Sequence, residues 1–547
     1  SAGGAIANNG TLSVESSSFT GNQAYNEVSA EDGTKTISGA GGAIQNVSGT
    51  GLTVKNSSFS NNKAGLGGGA IMNSGNATIS QTSFKGNTAP IGGAILNGGT
   101  ENNQGVLNIS ESTFEANTAE YGGAVTNDTY GKIEKLSADF SNNSATVAGG
   151  AIHNLGTINT IGGSFTSNYT TGKEGTGGAI SNGGTIETIN SNFNRNSAYL
   201  GGAIANVGTI NTISGKFINN TAKAGGGAIV TADAKNGETP VIANLKEIKD
   251  AEFTNNSTTD EQGVGGAILA NQTTNKLTVN SSKFSSNKAD KGGAIGNAGL
   301  LDVANSTFTN NSAKEGGAID NSGTMNISGS SFSGNTAERG GAIANYGTMN
   351  INSSTFSSNK SEGELVIDSE KAENSVIPNG GAITSKGALT INNSTFTNNS
   401  NNITVKDDDK EAVEVIQSAI GGGALLVSDT ATITNSSFAG NSTNYSGGAI
   451  LTNGSTKLSV NNGAFSNNSA GINGGAISAG ADNVAASILA PTANVEIKDT
   501  DFANNTAGKY GGAIYYSNGN TNTTDNPTLT INAQKQDVVF TNNKAEK

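Results

Sequence analysis

GGAIDNSGTMNISGSSFSGNTA, residues 316–337, holds the unit from which the chain is built. It contains three short extended pieces. The first is Ala318-Ile319, closed by Asn321-Ser322-Gly323. The second, Thr324-Met325-Asn326-Ile327, alternates polar and apolar residues. The third runs through Ser330-Ser331-Phe332 and ends near Asn335. A period of two with Gly, Asn and Ser punctuation signals strands and turns, and the unit shows no helical period of 3.6.

Working outward, Gly-Gly-Ala occurs 18 times and Phe-x-x-Asn accounts for all 18 phenylalanines. The two motifs alternate strictly, from Gly3-Gly4-Ala5 and Phe19 to Gly511-Gly512-Ala513 and Phe540. Their shortest spacing, 24 residues, recurs at 292 to 316 and 316 to 340. A fixed period with one large apolar residue per unit marks a solenoid, whose units bury their apolar sides against each other. Three strands in ~24 residues predict one coil of a parallel β-helix. The expected fold is therefore all-β: a right-handed, single-stranded parallel β-helix of about 18 coils with three short strands per coil. Residues 1–547 are expected to form one continuous helix of roughly 85 Å, at about 4.8 Å per coil, and to be a segment of a longer passenger.

Each motif acquires a role. The phenylalanines are expected to point inward and stack coil on coil, with Ile after Gly-Gly-Ala and pairs such as Leu12/Val14 or Met325/Ile327 on the other walls. Asn two residues after that Ile, from Asn8 to Asn345 and again at Asn453, is expected to form an amide ladder along the axis. The paired glycines allow a positive-φ corner or a close backbone approach.

Composition bounds the function. Net charge is −13 with a pI near 4.7, and the only arginines are Arg195 and Arg339. A phosphate-binding surface needs clustered cations, so nucleic acid is excluded as a partner, and no direct membrane insertion is expected from a segment without a long apolar run. There is no cysteine. Either the chain crosses a membrane unfolded or a long solenoid core needs no staples.

Candidate chemistry is sparse. His153, the only histidine, occupies a variable outward position and is expected to be non-catalytic. Arg195 and Arg339 have no acidic cluster in their own coils. No phosphate loop, zinc pattern, calcium repeat or nucleophile elbow appears, and the Thr positions are too irregular for an ice-binding face. No enzyme activity, catalytic residue, metal or cofactor is expected. What varies is insertions, at 25–40, 231–244, 360–379, 401–421, 479–493 and 517–527. Those at 360–379 and 401–421 belong to consecutive coils and read as acidic hairpins lying side by side. Binding residues favour loops on a rigid scaffold, so Glu364, Asp368, Glu370, Asp407, Asp408, Asp409 and Glu411 are the candidate partner-binding residues. The Asp407-Asp408-Asp409 run lacks calcium-loop spacing.

Alternating Gly-Gly-Ala-Ile and Phe-x-x-Asn resembles the repeats of the chlamydial polymorphic outer membrane proteins and of related autotransporter and adhesin-like surface proteins. The resemblance covers the whole chain. It implies a secreted, outer membrane-anchored passenger on the cell surface, acting in adhesion to host or neighbouring cells through a receptor or glycan, with self-association. The lack of cysteine departs from the chlamydial members. A polysaccharide-processing β-helix enzyme and a structural spacer or surface-layer component are the alternatives. The first would show paired carboxylates on an outer face.

Overall fold

The computed structural model describes residues 3–29, 35–236, 239–366, 379–406, 420–453, 456–479, 493–517 and 528–546. They contain strands and turns and no helix. Two compact units, Ser1–Thr278 and Val279–Lys547, repeat one architecture.

In the first unit, ten strands from Ile6–Asn8 to Ile268–Asn271 pair in parallel, each with the equivalent strand of the next coil, Ile over Ile except at Val125. In the second, eight strands from Ile295–Asn297 to Ile514–Tyr516 do the same. This is the expected parallel β-helix. The first glycine before these strands, Gly316 for example, has φ of about +58° to +78° in every coil but that of Gly380. Each second glycine meets backbone: a Cβ on Gly317 would overlap the carbonyl oxygen of Gly341. The two roles foreseen for the pair fall one to each residue.

The walls divide differently from the sequence reading. The aliphatic strand and the Phe strand share one sheet. Where the aliphatics lie two apart, as in Met325/Ile327 and Met349/Ile351, left-handed residues such as Gly329 and Ser353 set off the Phe strand. Where they lie three apart, as in Ile158/Ile161 and Ile186/Ile189, both pieces merge into long strands, Thr157–Thr166 and Thr185–Asn194. The third wall is a short strand after the Phe-x-x-Asn motif, such as Ser312–Glu315 paired with Thr336–Arg339. Small residues such as Ala337 suit it, because the rings already fill the interior.

The rings stack as expected. In the first unit, Phe19 to Phe253 have centroid spacings of 4.7–5.0 Å. In the second, Phe284 to Phe540 are spaced 4.6–5.1 Å. All but Phe19 and Phe540 are buried. Each burial contributes roughly 1.5–3 kcal/mol, with about 0.5–1.5 kcal/mol more for an aromatic pair.

The first amide ladder runs from Asn8 to Asn206 with Nδ2–Oδ1 distances of 2.6–2.8 Å. It ends through the Thr231 hydroxyl at Gln272. In the second unit it joins Asn297, Asn321 and Asn345, then the Ser385 hydroxyl. Asn453 is a correction: it falls one residue past the ladder position, which Thr452 occupies.

A second ladder, not foreseen, is built by the asparagine of Phe-x-x-Asn. Asn335 Oδ1 accepts from both the backbone N–H and Nδ2 of Asn311, each at 3.0 Å. Its own Nδ2 donates to the Phe308 carbonyl at 3.0 Å and to Asn359 Oδ1 at 2.9 Å. The residue before each such asparagine is left-handed, as at Asn310, Gly334 and Ser358, which explains the Asn-Asn and Gly-Asn pairs.

Replacing Phe308 with Ala should lower the local opening free energy by about 3–5 kcal/mol, whereas Thr307→Ala on the exposed face should change it by less than about 0.5 kcal/mol. Asn335→Ala should cost about 1–3 kcal/mol for each group of Asn311 left without its acceptor. Native-state hydrogen exchange reads all three.

Candidate functional site

Of the predicted partner-binding residues, Glu364 is exposed and lies on the strand Glu364–Val366, which pairs in parallel with Thr404–Lys406 of the next coil, Glu364 opposite Thr404. The departing arms of the two large insertions thus lie side by side, as expected. Asp368, Glu370, Asp407, Asp408, Asp409 and Glu411 lie outside the described residues, as do the returning arms. Two other insertions form antiparallel hairpins, Asn26–Ser29 with Lys35–Ser38 and Ala234–Asn236 with Thr239–Val241.

A second feature appears on the outer face of the Gly-Gly-Ala sheet. The residue between Ile and the ladder position points outward, yet it is buried at Thr126, Ala205, Val230, Ala344, Thr384 and Leu426. The glycine corners explain this. A Cβ on Gly67 would strike Leu96 Cδ2, and one on Gly201 would press on Val230 Cγ1. Bare corners leave a recess in which these side chains settle.

His153 belongs to this recess, between Thr126 and Ser181 in register. It is half-buried rather than simply exposed, with the Tyr121 ring 5.3 Å away. Burial pushes its pKa down to about 4, partly offset by the Asp128 charge, so the imidazole is neutral at pH 7.

Asp320 occupies the same position, with Gly296 on one side and Ala344 on the other. Glu315, just before the Gly-Gly corner, accepts from Arg339 Nη1 at 2.7 Å and from the Tyr346 hydroxyl at 2.6 Å. Lys291 Nζ stands 4.0 Å from the same carboxylate, and Lys386 lies over the Tyr346 ring at 5.5 Å. Tyr346 follows ladder residue Asn345, so its bond to Glu315 bridges the two rims of the recess. Asp320 Oδ1 is buried with no hydrogen-bond partner among the described residues. Burial first, and the Glu315 charge second, raise the Asp320 pKa to about 7, against a smaller opposing effect of Lys291. Burial and the bond to Glu315 also raise the Tyr346 hydroxyl. The site thus holds, beside Glu315, a carboxyl that keeps its proton to near neutrality.

The sequence reading missed this cluster because it sought partners for Arg339 within its own coil. Glu315 is its register partner in the coil before, 24 residues earlier. Comparing positions one period apart would have found the pair. Among the described residues no three His, Cys, Asp or Glu side chains converge to hold a metal ion, and no helix is long and apolar enough to cross a membrane.

Residues 56–74, 137–155, 305–322, 329–346 and 499–517 each match the Chlamydia polymorphic membrane protein repeat. The chain carries repeats of this type. Every match runs from a Phe-x-x-Asn strand through the following Gly-Gly-Ala strand, and two of them contain Glu315, Asp320, Arg339 and Tyr346. No curated protein matches the sequence. Among solved structures, the PL6 family alginate lyase AlyGC aligns over 98% of this chain and 96% of its own at 11% identity, with a TM-score of 0.24. An arginine-to-alanine mutant of that lyase aligns over 97% of each chain at 11% identity, with a TM-score of 0.26. Overlays this loose bear on neither fold nor function.

A carboxyl whose pKa is raised on folding stabilises the folded state fully below its unfolded pKa and loses that contribution as pH rises towards its folded pKa. For Asp320 the window runs from about pH 4 to about pH 7. Asp320→Asn should therefore leave thermal stability nearly unchanged at pH 4 and raise it relative to the parent at pH 8. Paired melting curves across that range check the sign.

Proposed function

We propose that this chain is part of a secreted, cell-surface β-helical passenger that presents insertion loops for adhesion to host or neighbouring cells. The observation that carries the reading is the pairing of Glu364–Val366 with Thr404–Lys406. The departing arms of insertions on consecutive coils pair with each other, as a shared binding element requires and independent drift at two corners does not. The repeat matches support a surface-protein context, and binding residues concentrate on loops held by a rigid scaffold. A polysaccharide-processing reading stands second, because Glu315 and Asp320 supply a carboxylate pair on an outer face.

Deleting residues 361–379 and 402–420 together should abolish binding of the purified protein to cultured epithelial or bacterial cells while leaving the β-sheet circular dichroism intact. Unchanged cell binding in the folded deletion variant would favour the structural-spacer alternative.

A further inference from the structure

The recess around Asp320 is built unlike the rest of its sheet. Asp320 is the only acid among the outward residues between Ile and the ladder position, and Tyr346 the only aromatic directly after a ladder asparagine. Glu315 and Arg339 meet on the rim. These residues fall on the coils that begin at Gly292, Gly316 and Gly340. The spacing between those starts is the minimal 24 residues, so the coils that begin at Gly292 and Gly316 carry no insertion, and the insertion at 360–379 follows Tyr346 on the third.

We infer that this recess is a binding subsite for a neutral saccharide, separate from the insertions. Both signs of charge are present. Glu315 stands against Arg339 and Lys291, and Lys386 lies over the Tyr346 ring. An anionic ligand meets Glu315, and a cationic one meets Arg339 and the lysines. A neutral ligand rich in hydroxyl groups meets no like charge. Carboxylate oxygens accept from sugar hydroxyls, the guanidinium donates to them, and the tyrosine oxygen, its proton held by Glu315, accepts. The Tyr346 ring, 36% exposed, offers an apolar face to the C–H side of a pyranose. Gly296 and Ala344 set only a hydrogen and a methyl group beside Asp320 on the two neighbouring coils. Three coils at about 4.8 Å span about 10 Å, room for roughly two sugar rings.

The subsite goes beyond adhesion through the insertions and stands or falls apart from it, because it needs no cell and no insertion residue. Isothermal titration of the intact chain with cellohexaose, maltohexaose, laminarihexaose and chitohexaose, and with an oligogalacturonate as the acidic comparison, tests it. At least one neutral hexasaccharide should bind with a Kd below about 1 mM. Tyr346→Ala and Glu315→Gln should each weaken that binding at least tenfold with circular dichroism unchanged, and Tyr130→Ala, a distant exposed tyrosine, should not. No binding by any neutral probe, binding by the oligogalacturonate alone, or equal affinity in the folded variants would overturn the assignment. New reducing ends appearing during incubation would overturn it too, in favour of a catalytic carboxylate pair.

Discussion

Register between neighbouring coils is the constraint on which the rest of the structure depends. Parallel pairing sets each residue directly against its equivalent one period away. Any side chain repeated at the period must therefore pack on a copy of itself. Few side chains do this well in an interior. Phenylalanine stacks at 4.6–5.1 Å in the second unit, isoleucine nests on isoleucine, and asparagine both donates to and accepts from another asparagine. These residues recur at fixed places in this chain, and the glycine pair recurs where backbone meets backbone.

The two asparagine ladders serve unlike ends. The first follows the Gly-Gly-Ala strand and tolerates replacement: Thr231 with Gln272, and Ser385, still carry hydrogen bonds along it. The second is stricter. Each asparagine there satisfies the backbone N–H and side-chain amide of one coil neighbour and the carbonyl of a phenylalanine, as Asn335 does for Asn311 and Phe308. Such buried backbone groups demand partners, which explains why every phenylalanine is followed by asparagine at the same distance.

Much of this was legible in the sequence. The ring stack, the isoleucine rows, the first ladder and the glycine roles each follow from one residue type per period. The second ladder escaped because asparagine is also a turn former, and Phe-x-x-Asn reads equally well as a strand and its corner. The division into sheets escaped because the aliphatic and Phe strands share a period of two, and the spacing of Ile158 from Ile161, against Met325 from Ile327, separates most merged coils from split ones, although Gly105–Glu115 merges with Leu107 and Ile109 two apart. The Asp320 recess escaped for a geometric reason. In a solenoid the neighbours of residue i lie one period away, so Arg339, Glu315 and Tyr346, scattered in sequence, meet at one recess. Likewise His153 reads as an exposed variable residue until the bare glycine corners are seen to recess its whole row.

The most direct measurement is hydrogen exchange at the ladder asparagines, resolved by overlapping peptides across residues 305–360. Side-chain acceptors from the next coil hold the backbone N–H groups of Asn311 and Asn335. The account predicts that these amides exchange as slowly as those of the adjoining strands. Exchange at the rate of an open loop, with the strands still protected, would contradict it.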